Sequence, residues 1–154
     1  MIPKDFTANP AFAEFLFATP PKYRNFVMQV HDVLVKIGCK AKFGQQKSGY
    51  AAQYTYAVTN RLAWQFVASD DALVMYLYAG FIFRFDTSLD ILPSSIIGEI
   101  KEFRNCTDME ADCFKNTTIS GKVYRKCMNG RKRFTVDDET VGIVEFLENV
   151  LQKK

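Results

Sequence analysis

Four cysteines are the residues of this sequence best suited to bind a metal ion or to take part in redox chemistry. Cys106, Cys113 and Cys127 fall close together in the last third of the chain, whereas Cys39 lies far from them. Structural zinc sites usually supply their four ligands as two close pairs, and no Cys-x-x-Cys pair is present here. The spacing therefore does not indicate zinc or iron, and we expect no cofactor and reduced, packed thiols.

A cysteine-based function is the alternative prediction. Cys106, Cys113 and Cys127 would form a metal-binding or redox-sensing site, and the neighbouring Arg125 and Lys126 would favour the thiolate of Cys127. This hypothesis requires the three sulfur atoms to lie close together in space.

Aromatic residues alternate along several predicted strands and make up the leading candidate site. A concave aromatic surface with a few hydroxyl groups is a common way to build a ligand pocket, although aromatics are also ordinary strand residues. The sequence thus predicts a non-enzymatic module that binds a small molecule or a protein on an aromatic-lined sheet face, through Tyr50, Tyr54, Tyr56, Trp64, Tyr76 and Tyr78.

Basic residues cluster around Asn129-Gly130, which is a strong signal for a β-hairpin. The cluster consists of Lys122, Arg125, Lys126, Arg131, Lys132 and Arg133. A basic hairpin can contact phosphates, but the formal net charge of +3 is small for a nucleic-acid-binding protein. The overall charge argues against a nucleic-acid partner.

The single histidine, His31, is adjacent to Asp32 in the sequence, and adjacent residues of a helix point in different directions. It therefore reads as a partly exposed structural residue. No nucleophile motif or phosphate-cradling glycine pattern accompanies it. We expect a binding protein rather than an enzyme.

Apolar residues recur at three- and four-residue steps in several segments, which is typical of amphipathic helices. Four helices are predicted. The first begins after Asn9 and ends before Thr19, and the second runs from about Pro21 to Ile37. The third lies near Ser94 to Arg104, and the fourth runs from the Asp137–Thr140 cap to Gln152. Gly38 is expected to end the second of these helices.

Four predicted strands between residues 39 and 79 are joined by short polar turns, as in an antiparallel β-meander. The first three alternate, and the fourth, Ala72 to Ala79, has apolar residues on both faces. Two further strands, Thr118 to Met128 and Arg131 to Val136, are predicted to form a hairpin about Asn129-Gly130. The segment from Cys106 to Thr117 reads as a loop. The sequence thus predicts one α+β domain over residues 1–154, with an antiparallel meander and a C-terminal hairpin packed against about four helices.

The bulk composition excludes several classes of protein. The chain has 154 residues, of which 48% are hydrophobic and 24% charged, and these are values of an ordinary globular domain. No window is apolar enough to span a membrane, and the first ten residues lack the apolar core of a signal peptide. We expect a cytoplasmic protein without a membrane partner. Its sheet edges can pair between chains, which leaves a homodimer open.

Gly121, Tyr124, Lys126 and Cys127 form a Gly-x-x-Tyr-x-Lys-Cys element. Together with the earlier pair Cys106 and Cys113, this element resembles a family of short Firmicutes proteins with paired cysteines. The resemblance covers most of the chain and implies a bacterial protein, but it carries no assigned activity. A more distant likeness to YdhG-like domains implies a helix-then-meander plan. The iron-chaperone role given to some of those domains is not transferred, because no acidic ridge is present.

Overall fold

A computed structural model describes residues 10–47, 49–69, 71–103 and 114–153 of the chain. Five α-helices lie in these residues: α1 (Pro10–Ala18), α2 (Arg24–Ile37), α3 (Ala79–Ile82), α4 (Ser94–Lys101) and α5 (Ile143–Gln152). Short 3-10 segments cover Pro21–Tyr23, Phe83–Ile91 and Thr140–Gly142. Within the described ranges, no helix has the length and apolarity needed to cross a membrane.

Seven strands in the described residues form two antiparallel sheets. They are β1 (Cys39–Gln46), β2 (Gly49–Tyr56), β3 (Arg61–Ala68), β4 (Leu73–Tyr78), β5 (Phe114–Ile119), β6 (Lys122–Cys127) and β7 (Arg131–Thr135). The larger sheet has the order β1-β2-β3-β4-β7, and β5 pairs with β6 in a separate sheet of two strands. The chain is therefore an α+β protein, as predicted, with a meander that β7 extends by one strand.

Helices α1 and α2 pack on one face of the large sheet, because both carry an apolar stripe. Phe15 of α1 contacts the rings of Phe43 and Phe66, and Phe26 of α2 meets Phe66 edge to face. We call the side of the sheet that carries these contacts the core face. Since side chains alternate along each strand, every second residue instead points to the opposite side, which we call the outer face.

A buried polar pair joins a helix to the sheet in the core. His31 of α2 is 2% exposed, and its Nδ1 atom lies 2.8 Å from the hydroxyl oxygen of Tyr54 on β2. The ring of Phe12 stacks on the imidazole with 4.0 Å between centroids. His31 is thus structural, as predicted, but it is buried rather than partly exposed.

The predicted helices agree with the structure in place and type. The helix predicted from Pro21 begins with the 3-10 turn Pro21–Tyr23, continues as α2, and ends at Gly38, whose φ of +121° few other residues adopt readily. The additional helix, α3, is a single turn that follows β4 directly. The predicted loop from Cys106 includes the start of β5, and its part before Phe114 lies outside the described residues.

The predicted hairpin about Asn129-Gly130 is wrong. Strand β6 turns back on β5 instead, through Ser120 and Gly121 with φ values of +52° and +80°. Two successive residues with positive φ make the tight turn that matches the twist of paired strands. Asn129 and Gly130 then carry the chain from the small sheet to β7, which pairs with β4.

Replacing Tyr54 by Phe tests the buried pair. The Tyr54→Phe variant leaves a buried imidazole nitrogen without this hydrogen bond, which typically costs about 1–3 kcal/mol. We expect the free energy of unfolding in urea to fall by that amount. Tyr76→Phe is the matched control, because the hydroxyl of Tyr76 makes no hydrogen bond within the described residues. Equal stability of the two variants would contradict a structural role for the pair.

Asp137 caps the turn before α5 and should make stability depend on pH. Its carboxylate accepts the backbone N–H groups of Thr140 at 2.8 Å and Glu139 at 3.0 Å, and these hydrogen bonds lower its pKa. A lowered pKa means that the stabilisation is complete above the unfolded value of 3.8 and is lost as the pH falls further. Asp137→Ala should lower the free energy of unfolding by about 0.5–2 kcal/mol at pH 7. Below pH ~4, the free energy of unfolding of this variant should fall less steeply with pH than that of the wild type. The measurement is urea unfolding of both proteins at several acidic pH values. The same pH dependence in the wild type and the variant would contradict the capping role of Asp137.

Candidate functional site

The large sheet divides the six aromatic residues of the predicted site between its two faces. Tyr50, Tyr54, Tyr56 and Trp64 lie on the core face, where Tyr54 is the cross-strand partner of Trp64. Tyr76 and Tyr78 alternate with the core residues Met75 and Leu77 and therefore lie on the outer face. The six side chains therefore do not share one surface, contrary to the prediction of a single aromatic sheet face.

Three of the core-face residues are packing residues of the interior. Tyr54 and Trp64 are both 0% exposed, and Tyr56 is 4% exposed and meets the rings of Phe81 and Phe85 edge to face. Burying such large rings stabilises the fold by removing apolar area from water. Packing in the core is therefore sufficient to explain why these three residues are aromatic.

Tyr50 lies at the margin of the core face. Its hydroxyl donates a hydrogen bond of 2.8 Å to the carboxylate of Glu14 on α1, and this bond raises the pKa of Tyr50. The contact fastens α1 to β2, so the hydroxyl has a structural partner.

A cleft of about 450 Å³ lies at the end of the sheet where β3 begins and β4 ends. We call it the end cleft. It is lined by Thr59, Arg61, Leu62, Tyr78, Gly80, Phe81, Arg84, Met128, Asn129 and Gly130. Of the six aromatics predicted as ligand-binding residues, Tyr78 lines this cleft.

Three chain reversals meet to form the end cleft. The turn between β2 and β3 is closed by the backbone N–H of Asn60, which donates to Tyr56 O at 2.7 Å, and Arg61 follows directly. The N–H of Ala79, at the end of β4, donates to the carbonyl of Gly130 at 3.1 Å, which ties α3 to the loop before β7. Gly80 lies so close to this loop that an added Cβ would come within 3.2 Å of Met128 O.

The end cleft is electropositive over an apolar floor. Arg61 and Arg84 supply the charge, and neither has a carboxylate within 4.0 Å among the described residues. The guanidinium of Arg84 lies 5.5 Å from the centre of the Tyr56 ring, which orients it without neutralising it. Unpaired arginines at a partly enclosed site are ready donors for an anion.

The end cleft offers side chains that can bind an anion with an apolar body. An arginine offers several N–H donors in a planar fork that matches a carboxylate or a phosphate. Leu62, Phe81 and Met128 offer apolar contacts to the rest of a ligand. The lining residues include no histidine, cysteine or carboxylate that would act as a base or a nucleophile near neutral pH.

Two of the cysteines lie in the described ranges, and both are buried. Cys39 begins β1 at 5% exposure, and Cys127 ends β6 at 9% exposure. Cys106 and Cys113 lie outside the described residues, so the proximity of the three sulfurs stays a prediction. Within residues 10–47, 49–69, 71–103 and 114–153, no group of three or more metal-ligating side chains is arranged to hold an ion.

The basic residues expected on one hairpin are distributed over separate places. Lys126 is 0% exposed and donates to the carbonyls of Lys101 and Phe103 at the end of α4, and burial lowers its pKa. Lys132 lies 3.9 Å from the carboxylate of Glu99. Arg131 and Arg133 point to the outer face of the large sheet, because their neighbours Lys132 and Phe134 occupy the other side. The predicted hairpin patch therefore does not exist as one surface.

Comparisons with protein-family models, with curated proteins and with solved structures find no match to this chain.

The two arginines of the end cleft were not singled out in the sequence. Arg61 and Arg84 stand in unremarkable positions, one after a turn and one in a Phe-rich segment. Both line the same cleft because α3 packs against β3, which no local pattern reveals. An arginine after a turn is a common sequence pattern, and the sequence does not show whether that arginine has a carboxylate partner.

The burial of Cys39 and Cys127 predicts slow reaction with alkylating reagents. Native protein treated with iodoacetamide and analysed by peptide mass spectrometry should show both residues labelled much more slowly than in urea, because a buried thiol must first become exposed. Urea-unfolded protein is the control for reagent access. Labelling of Cys127 at the same rate in both states would contradict its burial and favour the redox hypothesis.

Proposed function

We propose that this protein is a non-enzymatic binding module and that its ligand is a small organic anion held in the end cleft. The observation that carries this proposal is the pair of arginines, Arg61 and Arg84, that line the cleft without a carboxylate partner in the described chain. Pockets of roughly 300–1,000 Å³ are typical of small-molecule sites, and the end cleft falls in that range.

The expected ligand combines one anionic group with an apolar body. A carboxylate or phosphate would be bound by the two guanidinium groups, and the hydrophobic part would contact Leu62, Phe81 and Met128. Such a division resembles many ligand sites, in which a few polar groups fix the orientation and apolar contacts supply affinity. Tyr78 also lines the cleft, but its hydroxyl donates to Gln65 Oε1 and therefore is not counted among the anion-binding groups.

The end cleft differs from the sequence-based hypothesis in its location. The aromatic sheet face was expected to hold the ligand, and Tyr78 is retained from that set. The other lining side chains come from the turns that end the strands, which are common places for binding residues because loops carry function on a rigid scaffold.

A panel of paired probes tests the proposal. Benzoate, hexanoate and phenyl phosphate are compared with the neutral benzamide and hexanamide, by thermal denaturation followed by calorimetric titration of any probe that raises the melting temperature. We expect the anions to stabilise the native protein through binding and the neutral amides to have no effect. Stabilisation by neither class, or by both classes equally, would contradict an anion site.

Arginine variants then assign the binding to the end cleft. Arg61→Gln and Arg84→Gln each remove a charge-assisted hydrogen bond worth about 1.5–3 kcal/mol, so affinity should fall by about tenfold or more. The control variant, Lys22→Gln with Lys36→Gln, removes two exposed charges on the helical layer and should bind as the wild type does. Unchanged affinity in both arginine variants would place the anion elsewhere.

A further inference from the structure

One polar row crosses the outer face of the large sheet from edge to edge. Lys42 on β1 pairs with Gln53, Gln53 with Gln65, Gln65 with Tyr76, and Tyr76 with Arg133 on β7. We call this line the cross-strand row. It begins and ends with a cation and has two amides and a tyrosine between them.

The charged side chains that the five strands place on this surface have one sign. The five strands of the large sheet contain no aspartate or glutamate, and Lys40 and Arg131 add two more exposed cations to the outer face. The ion pairs of the described residues join Lys22, Lys36, Lys115 and Lys132 to carboxylates, and none of these four lysines is on the outer face. The outer face is therefore electropositive, although 17 acidic residues nearly balance 20 basic ones over the whole chain.

Flat, hydrogen-bonded groups occupy the middle of the outer face. The guanidinium of Arg131 lies 4.3 Å from the centre of the Tyr76 ring. The hydroxyl of Tyr78 donates to Gln65 Oε1 at 3.1 Å, and Arg131 Nη1 lies 3.4 Å from that hydroxyl. These contacts hold a planar guanidinium above a ring before any partner binds, which lowers the entropy lost on binding.

The size and relief of the face also suit an extended chain. Strand spacing of about 4.8 Å puts the two outer strands roughly 19 Å apart, which a few nucleotides span. The row beside the cross-strand row carries side chains no larger than valine, namely Gly44, Ala51, Val67, Val74 and Thr135. Ala51 and Val67 in the middle of this row are buried, at 2% and 7% exposure, whereas Gly44 and Thr135 at the two edges are exposed.

We propose that the outer face binds single-stranded nucleic acid, with phosphates at the cationic edges and bases over the exposed guanidinium of Arg131 and the partly exposed side chains of Tyr76 and Gln53. Single-stranded bases stack on tyrosine rings and guanidinium planes, and this mode tolerates different sequences. An acidic peptide would need the cations but would gain nothing from a stacked guanidinium. The low net charge had argued against nucleic acid, but the fold collects the relevant cations on one side.

Fluorescence anisotropy of a labelled oligo(dT) or oligo(U) strand with the full chain tests the proposal at several salt concentrations. Binding should weaken with salt at a slope of about −0.7 per phosphate contacted. Lys42→Gln with Arg133→Gln should reduce that slope by about 1.4. Lys22→Gln with Lys36→Gln is the charge-matched control on the helical layer and should leave the slope unchanged.

Arg131→Lys separates nucleic acid from an acidic partner. This variant keeps the charge but loses the planar surface, so affinity for the oligonucleotide should fall about tenfold with the same salt slope. Circular dichroism and urea unfolding confirm that each variant is folded. Absence of binding at low salt, an unchanged affinity of Arg131→Lys, or equally tight binding of poly-glutamate would overturn the proposal, and the last result would assign the face to an acidic peptide.

This inference does not rest on the end cleft. The oligonucleotide test depends on Lys42, Arg131 and Arg133, whereas the small-anion test depends on Arg61 and Arg84. Failure of either proposal is therefore distinguishable from failure of the other.

Discussion

The pairing of β7 with β4 is the constraint on which both proposed surfaces depend. It places Arg133 beside Tyr76 and Arg131 beside Tyr78, and so completes the cationic edge of the outer face. It also brings the loop at Asn129-Gly130 against Gly80, where it closes one side of the end cleft. The register is held by burial, because a slip of one residue would move Phe134 from the core to water and bring a cation into its place.

Local periodicity was enough to predict most of the helices and the meander. The apolar stripe of α2 and the alternation along β2 are both strong, since each element buries one face against the other. The hairpin prediction was wrong because both Asn129-Gly130 and Ser120-Gly121 can form a tight turn. Which of them joins two paired strands depends on the strand with which β6 pairs. That choice is made by distant parts of the chain, which short-range signals do not record.

The candidate site was harder to predict than the fold for the same reason. Alternation placed Tyr54 and Tyr76 each on one side of its own strand, but it did not tell which sides coincide once the strands pair. The structure puts Tyr54 in the core and Tyr76 on the outer face. The net charge of the chain did not indicate the charge of the outer face. The acidic residues lie outside the five strands, whereas Lys42 and Arg133 lie on them.

Cross-strand nuclear Overhauser effects around β7 test this account most directly. In isotopically labelled protein, the account predicts contacts between the backbone protons of β7 and β4, including the pair Tyr76 and Arg133. Contacts between β7 and β6 across Asn129-Gly130, in the manner of a hairpin, would contradict it. That result would remove the cationic edge from the outer face and the rim from the end cleft together.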